Sequence, residues 1–149
     1  MYRWALILFW LCVGCDPRPC GGRCDAVEVA ARVAGVGAID CGLVLVGEDR
    51  AALDACMSGA FEAGRPFFGV VELSVTTTDA ILLRGYARNA EGVLREIVGT
   101  RQGTRTLVHT RFCFSAVSGP TLRCTEPMDG LFIECDCTTG DGDSGNPPG

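Results

Sequence analysis

Residues 66–114, PFFGVVELSVTTTDAILLRGYARNAEGVLREIVGTRQGTRTLVHTRFCF, decide the fold. Their side chains change character at every second position, the period of a strand rather than a helix. Residues 66–75 set Phe67, Val71, Leu73 and Val75 against Glu72 and Ser74. Residues 76–78 read as a turn. Residues 80–88 set Ile81, Leu83 and Ala87 against Arg84, Tyr86 and Arg88. A second turn at 89–92, a strand at 93–100, a third turn at 101–103 and a strand at 104–114 follow. Short strands joined by tight turns make an antiparallel meander. One apolar and one polar face per strand predicts a sheet covered on one side only.

Upstream, Asp49 offers an N-cap carboxylate, and residues 51–63 are good helix formers. Leu53, Cys56, Met57, Ala60 and Phe61 fall on one helical stripe, Gly64 sits at the C′ position, and Pro66 blocks continuation. Residues 25–34, with Val29 and Val33 one turn apart, suit a shorter helix ended by Gly35 and Gly37, and the apolar run 43–46 suits a short strand. After Pro120 a cysteine-linked loop leads to a fifth strand at 131–135. The tail 138–149, TTGDGDSGNPPG, has no apolar anchor and reads as disordered. The expected fold is α+β: one main helix packed on a four- to five-stranded antiparallel meander sheet, stapled by disulfides. In outline this order resembles cystatin-like and NTF2-like folds, a topological likeness that carries no function.

The first fifteen residues, MYRWALILFWLCVGC, place Arg3 before an uncharged apolar run that is too short to span a bilayer. The run ends Leu11-Cys12-Val13-Gly14-Cys15. This resembles the lipobox of bacterial lipoproteins, with Cys12 where that family usually has Leu. The resemblance implies cleavage after Gly14, lipidation of Cys15 and acylation of the new amino terminus, a palmitate-type anchor. Several acyl chains hold a protein firmly where one does not. The chain then divides into a signal peptide at 1–14, a Cys/Pro/Gly-rich tether at 15–24, a single domain at 25–137 and the tail at 138–149. Its expected place is the bacterial cell envelope, anchored to a membrane and facing the periplasm or the exterior.

That division also sorts the ten cysteines. Cys12 leaves with the leader and Cys15 carries lipid. Cys20, Cys24, Cys41, Cys56, Cys113, Cys124, Cys135 and Cys137 remain, an even set that reads as disulfides in an exported chain. Cys41 precedes the main helix and Cys56 lies within it, so these two suit one another. Cys113 suits Cys124 or Cys135. Cys135 and Cys137 share a side of an extended segment and so take different partners. Neither Cys20-x3-Cys24 nor Cys135-x-Cys137 has zinc-ligand spacing, so no metal and no other cofactor is expected. All thirteen basic residues are Arg. Without the leader, twelve basic residues face eighteen acidic ones, which argues against nucleic acid as a partner.

Catalytic signals are thin. Gly142-Asp143-Ser144-Gly145-Asn146-Pro147 resembles the nucleophile motif of trypsin-like serine proteases. It lies in a tail that cannot preorganise an oxyanion hole, and it is not read as a protease site. His109 has no evident carboxylate partner. Residues 66–114 carry six Arg against four acids. Arg84, Tyr86, Arg88, Arg95, Arg105, His109 and Arg111 are candidates for one anion- or partner-binding sheet face. The function expected is therefore an anchored, non-enzymatic binding or interaction module, with an unknown protein as partner besides the membrane. The alternatives are an inhibitor of extracellular hydrolases, or a small ligand-binding or enzymatic helix-on-sheet domain.

Overall fold

The computed structural model describes residues 24–75 and 78–138. Two helices, α1 (Ala26–Ala34) and α2 (Ala51–Glu62), and seven strands follow one another as α1, β1 (Ile39–Val44), α2, β2 (Phe67–Ser74), β3 (Ala80–Arg88), β4 (Leu94–Gln102), β5 (Arg105–Val117), β6 (Arg123–Pro127) and β7 (Phe132–Thr138). The strands form one sheet in the order β1-β2-β3-β4-β5-β6, with β7 also paired to β5. The expected meander is its centre, β2 to β5, all antiparallel. The strand count was too low: β1 adds a parallel edge beside β2, and the long β5 pairs with β7 along its first half and β6 along its second. Leucines 43 and 45 and valines 44 and 46 mislead, because the strand runs from Ile39 to Val44 and leaves Leu45 and Val46 exposed.

The larger correction concerns coverage. The sheet is packed on both faces, each by one helix. On the first face α1 sets Ala26, Val29, Ala30 and Ala34 against Phe68, Val70, Leu83, Ala87, Ile97 and Val108. On the second, α2 sets Leu53, Met57 and Ala60 against Phe67, Val71, Leu94, Cys113 and Leu122. The register explains the error. Phe67 lies opposite Arg88 and Val71 opposite Arg84, while Glu72 lies opposite Leu83. The apolar row of β2 therefore shares a face with the polar row of β3. Both faces of β2 are buried, and Glu72 goes inside with them, its carboxylate 2.9 Å from Arg101.

Each helix is set by local chemistry. Asp25 caps α1, its carboxylate accepting from the Val27 N–H at 2.8 Å, and Gly35 closes it with φ +83°. Small residues on its inner side let it lie close to the sheet. Strand glycines relieve crowding too: a Cβ on Gly85 would stand 2.2 Å from the Gly69 carbonyl oxygen of the next strand, and one on Gly69 would stand 2.7 Å from Leu53 of α2. In α2 the N-cap position belongs to Arg50, which makes no side-chain cap bond. Asp49 stands one residue earlier and accepts from the Ala51 N–H at 3.0 Å. Gly64 adopts φ +68° just past the helix, as expected of a C′ residue.

Three disulfides join the described residues. Cys41–Cys56 ties β1 to α2, and Cys113–Cys124 ties β5 to β6. Cys135 bonds Cys24 rather than Cys113, fastening the start of α1 to β7 across 111 residues. Cys12, Gly14, Cys15, Cys20 and the Ser144 motif lie outside the described residues, as does the side chain of Cys137. β7 continues through Thr138, one residue past the expected domain end.

Candidate functional site

On its face α1 lies across β1 to β4, with clefts of about 270 and 330 Å³ at its two ends. α2 covers only part of the other face, the part that carries Phe67, Val71, Leu94 and Cys113. Strand parity leaves Arg84, Glu96, Val98, Leu107, His109 and Arg111 on the remainder of that face.

Of the seven residues proposed from sequence, six share this face. Arg84, Tyr86 and Arg88 follow one another along β3, and Arg105, His109 and Arg111 along β5. Arg95 does not belong with them. It lies on the α1 face, where its guanidinium stacks 4.4 Å from the centre of the Phe112 ring and meets Glu134 at 3.4 Å. Single-strand parity could not reveal this, because the register of β4 sets Arg95 opposite Ala87, an α1-face residue. Phe114 also leaves the pattern of its strand. A bulge after Cys113 takes it out of the ladder, and it is 73% exposed.

The six do different things. Arg88 is drawn under the end of α2, its guanidinium carbon 5.8 Å from the centre of the Phe61 ring, with Nη1 buried and unbonded. Arg105 makes a two-pronged pair with Asp136 at 2.9 and 2.7 Å, on the open surface. The hydrogen bond from Arg105 holds the Asp136 carboxyl below its ordinary range. His109 stands between Val98 and Ile133, its Nδ1 buried without a hydrogen bond.

Arg84, Tyr86 and Arg111 come together around a residue the sequence reading passed over, Glu96. This carboxylate is only 4% exposed. Arg111 takes it from β5, with Nε 2.6 Å from Oε2. Arg84 stands 3.8 Å from Oε1, an ion pair too long for a hydrogen bond. Beside this group a cleft of about 420 Å³ opens between the start of α2, strands β2 to β4 and the chain before β6. Met57, Val71, Leu73, Leu82 and Leu122 give it an apolar lining, and Arg50, Arg84, Tyr86, Glu96 and Arg123 its polar groups. Arg50 is occupied by Asp54, one helical turn on, through bonds of 2.7 and 2.9 Å. The Tyr86 hydroxyl accepts from the Cys124 backbone N–H at 3.2 Å. Burial pushes its phenol above the ordinary value, against the opposing pull of that N–H. Arg50 and Arg123 were missed from sequence. The one available signal was the Cys113–Cys124 pairing, which carries Arg123 back over the sheet.

Among the described residues no group of three His, Cys, Asp or Glu is placed to hold a metal ion, and no helix is long and apolar enough to cross a membrane. No known family model, curated protein or solved structure matches the chain.

Proposed function

We propose that this chain is an exported protein, held to a membrane of the bacterial cell envelope by lipid on Cys15, whose folded domain is a non-enzymatic binding module. Its working surface is the half of the sheet that α2 leaves open. The observation that carries this reading is the cleft at the edge of α2, where under-used guanidinium groups meet an apolar floor. Protein sites for small ligands share that make-up: concave, mostly apolar, with a few placed polar groups. Export is supported by the three disulfides, which persist in oxidising compartments and are rare in the cytosol.

The proposed anchor fixes the working distance. Cys24 is nine residue steps from Cys15, so the fold stands within about 30 Å of the lipid. Cys15→Ser removes the lipid acceptor. The variant is expected in the soluble envelope or culture fraction, with the parent in the membrane pellet. Retention of Cys15→Ser in washed membranes would contradict the anchor.

A further inference from the structure

We propose that the cleft beside α2 takes an anionic amphiphile, a single carboxylate carried on an apolar body, with Arg84, Arg123 and the Tyr86 hydroxyl receiving the carboxylate. This rests on the binding-module reading and names the ligand class of its site.

Unused donors make the first argument. Arg84 is 52% exposed on its side chain, and among the described residues its one ion-pair contact is Glu96 at 3.8 Å. Glu96 is already held at hydrogen-bond distance by Arg111. Arg123, on the far lip, gives among the described residues only a 3.4 Å bond to the Thr121 hydroxyl. A guanidinium carries five N–H donors in a fork that matches a carboxylate. Tyr86 adds one more: its oxygen accepts from Cys124, which leaves its own O–H to donate, and burial keeps that proton on.

The floor makes the second argument. Met57, Leu73, Leu82 and Leu122 line the cleft beside these donors. A bare inorganic anion would leave that apolar surface wet, whereas an aliphatic or aromatic body would cover it and take it out of water. The charge of the ligand is limited by Glu96. Its buried carboxylate shares Arg84 and repels each negative charge brought beside it, so a dianion meets about twice the repulsion of a single carboxylate. The volume, about 420 Å³, is that of a small-molecule site.

Octanoate is a suitable probe. The full chain carrying Cys15→Ser, exported so that its disulfides form, keeps the proposed lipid anchor out of the measurement. Calorimetric titration is expected to give saturable octanoate binding, with acetate, inorganic phosphate and 1-octanol all much weaker. Arg84→Gln combined with Arg123→Gln should weaken octanoate about tenfold or more, the loss expected when charge-assisted hydrogen bonds go. Arg65→Gln, exposed just past α2 and outside the cleft, should leave it unchanged. Unaltered circular dichroism checks that the variants fold. The proposal is overturned if phosphate or 1-octanol binds as tightly as octanoate, if octanoate does not saturate, or if the double variant binds like the parent. Binding that survives the double variant but falls in Arg95→Gln, on the opposite face, overturns the cleft and leaves the binding-module reading standing.

Discussion

The two faces of the sheet come from the same strands and end in opposite conditions. On the α1 side a nine-residue helix rich in Ala lies flat on Phe68, Val70, Ile97 and Val108, and the cross-link that fastens it spans 111 residues. On the α2 side a twelve-residue helix covers part of the sheet, and the cross-links are local, spanning 15 and 11 residues. The closed face ties the start of α1 to β7. The open face holds charge: Arg111, Glu96 and Arg84 stand in a row beside a cleft that the Cys113–Cys124 link keeps in place. On the proposed reading, stability and recognition are divided between two sides of one sheet.

The contrast can be broken most severely on the closed side. Replacing Cys24 and Cys135 together by Ser frees the longest disulfide loop among the described residues, 111 residues, and on chain-entropy grounds should cost about 5 kcal/mol, read as a fall in the denaturant midpoint. The equivalent change at Cys113 and Cys124 should cost less, since its loop is about a tenth as long. An equal or larger loss there would mean that the open side is the structural one.

A smaller loss is expected at the charge row. Arg111→Ala leaves the Glu96 carboxylate buried with only the distant Arg84 for company. Breaking a buried pair in this way should cost about 2 kcal/mol, below the usual range because Arg111 is itself partly exposed. Combining Arg111→Ala with Glu96→Leu should recover much of it, since no buried charge then remains.

The mildest test is a titration. Tyr2 and Tyr86 are the only tyrosines, so a chain cleaved after Gly14 reports Tyr86 alone through phenolate absorbance. Its midpoint should lie above 10.0, because burial disfavours the phenolate. A raised pKa in the fold means that the stability tied to this proton is fully present below the unfolded value of about 10 and is lost as pH rises through the folded value. A midpoint at or below 10 would mean that the cleft is wetter than described.

Much of this was legible in the chain, and the failures have a common cause. Asp25 and Gly35 bound α1, and Leu53, Met57 and Ala60 mark the inner side of α2, because helix ends and helix faces are written locally. The period of β2 to β5 was equally plain. Which rows lie side by side was not, because alternation within a strand leaves its register against a neighbour open. The signal that could have helped is the doublets Phe67-Phe68 and Val70-Val71, consecutive apolar residues that suit a strand buried on both sides. β6, RCTEP, is short, polar and proline-ended, and gives no strand signal. β1 pairs with β2 across an intervening helix, a non-local choice. At the site, Arg84, Tyr86 and Arg111 were found through strand parity. Arg50 and Arg123 were not, because a helix start and a disulfide deliver them to the cleft.

On the proposed reading the open side of the sheet recognises and the closed side supports. Amide-resolved magnetic resonance of the Cys15→Ser chain, titrated with octanoate, tests it most directly. The account predicts the largest shifts at Arg84, Gly85, Tyr86, Leu122 and Arg123, with Val29 and Ala30 of α1 unmoved. Shifts centred on α1 and its strand partners, or none that saturate, would contradict it.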